Sequence, residues 1–468
     1  WIDPETGVAR YKELLDASSR FDFAEGVNWA ISEGEVRNWE TYRSFFYQTQ
    51  LNYATTINEL HDITAMGLFS RNEHATGSEI PFYREDWVFR ATYNYGGKYT
   101  IEYNGAYNGS EKFSPENRFA FFSSGGANWM VSEENFMKSL GFLDMLRLRA
   151  SYGEIGDDNV DGRWLYMTRW AYDYPHGGQT RIATTGEQPA TSPYTWYRED
   201  ALGNPNVQWE KVQKTNFGVD YSFFNNLIAG SFDYFEDKRT DILITGDNRA
   251  IPSYFGAEAP VANLGRVQVK GYELELRLNK RVGANARVYG NFNLTHSKSE
   301  VLERDDPQLL PAYQKQVGYV LGQTRSHVSN GYINTWDELY ASTPHDANDN
   351  QKLPGDYHII DFNGDGIIDT NDNIPFGFSS TPQNTYSSTI GFEWNGFAGF
   401  AQFYGVNNVT RQVVLGSLER NNTLVYDEGS YWSKNQMDAD VPHPRWNSTP
   451  SNYSVGNRYM FDGSYLRL

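Results

Sequence analysis

The amino-acid sequence predicts an all-β protein, an antiparallel transmembrane β-barrel with long extracellular loops. Three observations carry that prediction. Apolar and polar residues alternate with a period of two along many segments, as a sheet with one greasy and one polar face requires. Several of these segments run past about 10 residues, where strands of soluble proteins average about 5–6. The connections between them are either tight turns or very long loops, which is the asymmetry between the two rims of a transmembrane barrel.

The segments follow in chain order. Glu40 to Ile57 is a long run in which Tyr42, Phe45, Phe46, Tyr47 and Tyr53 cluster as an interfacial aromatic girdle would. Trp87 to Tyr95 and Tyr99 to Tyr107 flank the tight turn Tyr95-Gly96-Gly97-Lys98. Glu133 to Lys138 is expected to form a short helix with Ser132 as its N-cap, ahead of the alternating run Leu146 to Tyr152. In Phe217-Gly218-Val219-Asp220-Tyr221-Ser222-Phe223 the odd positions are apolar and the even ones small or polar. A turn at Phe224-Asn225-Asn226 leads into the run Asn226 to Thr245. Gly271 to Asn279 sets Tyr272, Leu274, Leu276 and Leu278 against Glu273, Glu275 and Arg277, and Arg287 to Thr295 repeats the theme. A second short helix is expected at Trp336 to Tyr340. Phe397 to Tyr404 follows the turn Trp394-Asn395-Gly396-Phe397. The long loops are Asp157 to Val207 and Glu303 to Gln383, rich in Trp, Tyr, Asn, Gly and Pro. Roughly a dozen strands result, against a mean sheet of about 5–6. A soluble β-sandwich, propeller or β-helix shares the alternation. Strand length, aromatic placement and the two kinds of connection favour the barrel.

Composition narrows the function. Aromatics make up 16 % of the 468 residues while the apolar share is only 39 %, below the roughly 45–50 % of a soluble domain. Disordered chains are poor in aromatics, and no run approaches the ~18 apolar residues of a spanning helix. The net charge of −19 opposes nucleic-acid phosphates and anionic lipid surfaces. With no cysteine, disulfides, thiolate metal sites and cysteine catalysis are excluded. The opening Trp1-Ile2-Asp3-Pro4 has neither the basic nor the apolar region of a signal peptide.

The sharpest motif is Asp361-Phe362-Asn363-Gly364-Asp365-Gly366-Ile367-Ile368-Asp369-Thr370-Asn371-Asp372. A calcium loop takes oxygens at positions 1, 3, 5, 7, 9 and 12 with Gly at 6. Those positions are Asp361, Asn363, Asp365, the Ile367 carbonyl, Asp369 and Asp372, with Ile368 in the apolar slot. The expected use is a structural Ca2+ that stiffens the loop 303–383, since no flanking helix pair makes it a sensor. The eight histidines include no H-x-x-x-H pair, and nucleophile-elbow and phosphate-loop motifs are absent. Asp157-Asp158 and Asp305-Asp306 read as solvated loop carboxylates rather than a glycosidase pair. In the first long loop Trp164, Tyr166, Trp170, Tyr172, Tyr174, Tyr194, Trp196 and Tyr197 could stack on sugar rings, clasp peptide side chains, or pack on one another.

Ordered blocks carry a resemblance. Asn204-Pro205-Asn206-Val207-Gln208-Trp209-Glu210, Asn216-Phe217-Gly218-Val219-Asp220, Phe223-Phe224-Asn225-Asn226 and Lys270-Gly271-Tyr272-Glu273-Leu274 resemble segments of SusC/RagA-type TonB-dependent outer-membrane transporters of Bacteroidota. So do Gly230 to Phe235, Lys238 to Asp241 and Asn263-Leu264-Gly265, and upstream Trp129 to Glu134 and Leu146-Arg147-Leu148-Arg149-Ala150-Ser151-Tyr152-Gly153. Downstream, Asp361 to Gly366 and Asp462 to Leu468 are similar to its "D.NGDG" and "D.S.LRL" segments.

The resemblance implies a 22-stranded barrel around an N-terminal plug, a size class with a plugged lumen. It makes residues 1–468 a portion of that barrel, its middle and later strands, without signal peptide, plug or terminal strands, and 303–383 a long extracellular loop. It implies import of oligosaccharides or oligopeptides across the Gram-negative outer membrane, a SusD-like surface lipoprotein as lid, the TonB complex acting through the plug, and no catalytic residue. A scaffold subunit of an outer-membrane assembly or secretion machine is the alternative; a secreted carbohydrate-binding protein or glycosidase is a third.

Overall fold

The computed structural model describes residues 41–160, 162–172, 197–252, 255, 258–412, 431–439, 442–443 and 456–468, with the strand pair Leu14–Leu15 and Gly26–Val27. By contacts the chain divides into two units, Trp1–Phe45 with Asn72–Phe82, and Phe46–Arg71 with Tyr83–Leu468. In the first, the Thr76 N–H donates to Glu79 Oε1 at 2.5 Å and His74 stacks on Phe82 at 4.7 Å, which closes the turn after Thr76.

One 13-stranded sheet carries the architecture. Its strands are β1 (Tyr42–Ile57), β2 (His61–Thr76), β3 (Phe82–Tyr95), β4 (Tyr99–Ser110), β5 (Phe119–Met130), β6 (Leu143–Asp157) and β7 (Glu210–Phe223). They continue as β8 (Ile228–Ile244), β9 (Ala262–Val282), β10 (Ala286–Glu303), β11 (Asn384–Trp394), β12 (Phe397–Asn407) and β13 (Tyr465–Arg467). Each strand neighbours the next in sequence, an up-and-down meander whose registered pairs are antiparallel. All but β13 run 11 to 21 residues, enough for the ~9–11 tilted residues that cross a hydrocarbon layer. Among the described residues no helix is long and apolar enough to cross a membrane.

Register gives the sheet two chemically distinct faces. One cross-strand row reads Tyr95, Tyr99, Trp129, Leu148, Val219, Phe232, Leu274, Leu294 and Tyr386, from β3 to β11 without an intervening polar residue. The adjacent row, one residue along each strand, reads Asn94, Thr100, Asn128, Arg149, Gly218, Asp233, Glu273, Thr295 and Thr385. A slip of one residue in any strand would exchange its faces, so the alternation itself fixes the pairing. These are the two walls of a transmembrane barrel: an apolar exterior and a polar interior.

The connections sort by rim as the sequence predicts. Tight turns link β3 to β4, β7 to β8, β9 to β10 and β11 to β12. Their left-handed positions fall on Gly96, Gly97, Asn225, Asn226, Gly283, Asn395 and Gly396, residues that tolerate positive φ, and on Phe224. The long links, β6 to β7, β10 to β11 and β12 to β13, all leave from the opposite rim. The expected helix at 133–138 is not formed. Val131–Glu133 is a single 3-10 turn, preceded by Met130 with no side-chain cap, and Ser132 lies inside it. Trp336–Ala341 is helical, and the Thr335 side chain caps it by accepting the Glu338 N–H.

The two faces generate a prediction. Phe217 sits mid-strand in β7, 56 % exposed on the apolar face and in register with Ala150 and Tyr234. Phe217→Arg in the full-length protein should destabilise the membrane-inserted state by about 2–4 kcal/mol. Asn216→Arg on the polar face should be tolerated. The folded fraction in lipid vesicles, read by heat-modifiable gel mobility, checks this.

Candidate functional site

The polar face and the long-loop rim hold the sheet's paired charges and its longest connections, and the candidate site is built there. On the polar face the segment Asn216-Phe217-Gly218-Val219-Asp220 sends Asn216, Gly218 and Asp220 to one side. Arg149 on β6 bonds Asp220 through Nε (2.8 Å) and Nη2 (2.9 Å), and reaches across β7 to Asp233 on β8 at 3.1 and 3.0 Å. Arg147 adds a third guanidinium bond to Asp220 at 2.6 Å. The crossing depends on Gly218: a Cβ there would lie 2.5 Å from Asp233 Oδ1 and 2.7 Å from Arg149 Cζ. Glycine is therefore required where it stands between two paired charges. On β9 Gly271 makes room for an aromatic ring instead: a Cβ there would lie 2.5 Å from the Phe235 ring.

At the long-loop rim the stretch Asn204 to Glu210 ties strand ends together. Trp209 is 1 % exposed, packs on Phe113 and Phe122, and donates its indole N–H to the Arg118 carbonyl at 3.2 Å. Next to it buried Glu210 accepts from Arg239 Nε and from the Leu243 N–H, at 2.8 and 2.9 Å. The Asn204 amide donates to the Val261 carbonyl at 2.9 Å, and the Asn263 amide donates to the carbonyls of Gln208 and Asp241. The paired carboxylates are braces here. Asp157 meets Arg239, Asp158 meets Arg84 at 2.8 Å, Asp305 meets Arg249 at 2.8 Å, and Asp306 accepts the Gln316 and Val317 N–H groups. Burial alone would raise the Asp305 carboxyl; the Arg249 guanidinium and the Ala250 N–H hold it below the ordinary range.

The loop Asp361–Asp372 is built from its own carboxylates. Asp361 accepts the N–H groups of Gly364 and Gly366, Asp365 that of Ile367, and Asp369 that of Asn371. Asp372 is 0 % exposed and accepts three: Phe362 and Asn363 on Oδ1, and Asp369 on Oδ2. Left-handed Gly364 and Gly366, at φ +73° and +88°, make the turns. Ile368 fills the expected apolar slot, 2 % exposed against Tyr357, Ile359 and Tyr459. Its backbone N–H donates to the Pro344 carbonyl at 2.8 Å, which docks the loop beside His345 in an isolated parallel bridge. Burial, with Lys352 nearby, pulls the His345 imidazole down to about 4, so it is neutral at pH 7. Among the described residues no three Asp, Glu or His side chains are arranged to hold a metal ion.

The structure brings part of the predicted aromatic cluster together. Tyr172 and Tyr197 are register partners in a short antiparallel pair, and Trp170 faces Glu199 beside them. Trp170 is 60 % exposed, while Trp164 and Tyr166 are half-buried, with the Arg163 guanidinium 4.4 Å over the Trp164 ring. Tyr174, Tyr194 and Trp196 lie outside the described residues. The Arg147–Asp220–Arg149–Asp233 ladder was not singled out from sequence. Its signal was there in the alternating charges of Leu146 to Arg149, but it acquires meaning only once β6, β7 and β8 are in register.

Comparison with known proteins accords with this geometry. The sequence model of the family "TonB dependent receptor-like, beta-barrel" matches residues 5–366. TonB-dependent receptor P3 of Formosa agariphila is 27 % identical over 398 residues, 81 % of this chain and 37 % of the relative. TonB-dependent receptor SusC of Bacteroides thetaiotaomicron is 25 % identical over 293 residues, 60 % of this chain and 27 % of the relative. The chain thus spans less than half the length of the curated relatives it matches. In structure it is similar to a chain of the RagAB peptide transporter, with a TM-score of 0.64 at 18 % identity over 91 % of this chain and 48 % of that one, a likeness of fold. These relatives are receptors and transporters rather than enzymes. The chain belongs to the TonB-dependent receptor β-barrel family and is of its SusC/RagA type.

Proposed function

We propose that this chain supplies barrel wall and extracellular rim to an outer-membrane importer of oligomeric nutrients, oligosaccharides or oligopeptides. A SusD-like surface lipoprotein covers the mouth, and the TonB complex drives transport through the plug. The observation that carries the reading is the two-faced sheet with its long connections gathered on one rim. A polar interior of paired charges suits passage of hydrated cargo, and long loops rich in aromatics and amides suit capture of it and contact with a lid. That RagAB is a peptide transporter supports import by the shared fold.

The test uses the full-length protein in a strain deleted for its gene. Restoring it should restore uptake of a labelled oligosaccharide or oligopeptide pool, and pull-down should recover one surface lipoprotein. Replacing residues 164–197 with a short Gly-Ser link should leave membrane insertion intact and reduce uptake about tenfold or more, the scale of one lost contact set of ~1.4 kcal/mol. Unchanged uptake would remove the loop from the reading. Recovery with an assembly or secretion machine, and no uptake, would overturn import in favour of a scaffold.

A structural Ca2+ on the 361–372 loop belongs to the same proposal. The donors would be Asp361, Asn363, Asp365, the Ile367 carbonyl, Asp369 and Asp372, whose side chains would have to converge from the arrangement described above to enclose the ion. A carboxylate oxygen carries two lone pairs. Each oxygen of Asp361 and Asp365 accepts a single loop hydrogen bond, and so keeps one lone pair for a cation, while Asp369 also caps the turn that follows it. Asp372 Oδ1 is filled by two N–H groups, so only its Oδ2 has room. Limited proteolysis with and without chelator should show faster cleavage in this loop after Ca2+ removal and no change in barrel melting. Asp361→Asn with Asp365→Asn should abolish the difference. Identical cleavage patterns would contradict the site.

A further inference from the structure

The connections from β10 to β11 and from β12 to β13 leave the same rim from strands on either side of β11, and residues of both line a cavity of about 610 Å3. Ligand pockets commonly measure about 300–1,000 Å3, so this one admits one or two sugar rings or a short peptide. Its lining includes Asn330, Tyr332, Asn334, Asp438, Asn457 and Arg458. The chemistry of the three amides is the informative part.

Two of the amides, Asn334 and Asn457, have their oxygen tied to the wall. The Trp432 indole N–H donates to Asn334 Oδ1 at 2.9 Å. The Ser329 backbone N–H and hydroxyl donate to Asn457 Oδ1 at 3.3 and 3.4 Å. His358 Nδ1 lies 2.6 Å from Asn330 Oδ1. An indole N–H and a backbone N–H are donors only, so the amide orientation at Asn334 and Asn457 is fixed by chemistry: oxygen to the wall, NH2 away from it. Among the described residues, neither of these two NH2 groups has a protein partner. Residues that line a cavity with oriented, unspent donors are arranged for an acceptor-rich occupant.

The rest of the lining refines the class. The lining carries one carboxylate, the exposed Asp438, and one guanidinium, Arg458, so its formal charge is balanced and suits a neutral ligand. Tyr332 stacks on Tyr357 with centroids 5.1 Å apart at 20°, and Tyr357, 2 % exposed, is braced edge-on by Tyr459. Burial in that cluster pushes the Tyr357 phenol well above its ordinary range, so it stays neutral. A fixed ring, two amide donors and one carboxylate acceptor match a pyranose, whose adjacent hydroxyls both accept and donate and whose C–H face lies against an aromatic. A peptide would ask for apolar side-chain pockets, and Met437 and Tyr332 are the lining's large apolar surfaces.

We infer that this cavity between the two long connections, with Asn334 and Asn457 as paired donors, binds a neutral sugar unit of an oligosaccharide. The inference rests on the import reading and selects the saccharide branch of it.

Asn→Asp keeps size and shape and keeps the wall-facing oxygen, but replaces the donor NH2 with an acceptor. The full-length protein in detergent, wild type and with Asn334→Asp or Asn457→Asp, is titrated calorimetrically. The probes are maltohexaose, xylohexaose, laminarihexaose and mannohexaose, and a tryptic casein digest as the peptide probe. The expected result is binding of at least one saccharide, weakened about tenfold or more in each variant, with melting temperature unchanged. Saccharide binding that neither variant weakens would overturn the cavity while leaving import standing. Binding of the peptide digest alone, or of no saccharide, would overturn the saccharide class. Uptake in the complemented strain reports separately on import.

Discussion

A backbone that crosses hydrocarbon must pair every N–H and C=O with another part of the protein, because lipid offers no partner. In this chain that constraint is met by neighbouring long strands, and everything else is arranged around the resulting register. Once Leu148 lies opposite Val219 and Val219 opposite Phe232, Arg149, Gly218 and Asp233 must share the other face. Lipid compatibility and a polar interior are therefore one decision. Neither can be altered along a strand without altering the other.

The polar face shows what that coupling demands. Charges lining an interior need partners, and the partners sit on different strands. Arg149 satisfies carboxylates on both β7 and β8 because the position between them has no side chain to obstruct it. The Asn216–Gly218–Asp220 pattern is in this sense a statement about three strands at once: a polar neighbour, a gap and an anion. At the rim the same economy recurs. Trp209 and Glu210, buried side by side, fasten the entry to β7 to the Arg118 carbonyl on one side and to Arg239 and Leu243 on the other. The long connections thus start from strand ends that are already fixed, which leaves their outer portions able to carry recognition.

Much of the sheet was legible in the sequence because a period of two is a property of single strands. Phe217 to Phe223, Gly271 to Asn279 and Phe397 to Tyr404 each lie inside an observed strand. Their turns were legible because positive φ selects Gly and Asn. In place of the helix expected at 133–138 the link from β5 to β6 forms a 3-10 turn followed by successive turns, in which the Met137 and Lys138 N–H groups share the Glu134 carbonyl and the Leu140 N–H donates to the Met137 carbonyl. The calcium-type spacing was readable, but not the inward turn of Asp372 to serve three N–H groups. Least legible was the asparagine-lined cavity. Asn457 is far in sequence from Asn330 and Asn334, and the amide orientations of Asn334 and Asn457 follow from Trp432 and Ser329, contacts that only tertiary structure creates.

The central claim is that one face of each strand meets lipid and the other meets water. These 468 residues hold no cysteine, so single cysteines can be placed among them, with any cysteine elsewhere in the full-length protein replaced by serine. Spin labels at 146, 148 and 150 on the apolar face and at 147, 149 and 151 on the polar face of β6 would be read in the full-length protein in bilayers. Accessibility to oxygen, which partitions into lipid, and to a water-soluble nickel chelate is then measured at each position. The account predicts a two-residue oscillation, with oxygen favoured at even positions and nickel at odd ones. Equal nickel access at both sets would contradict it.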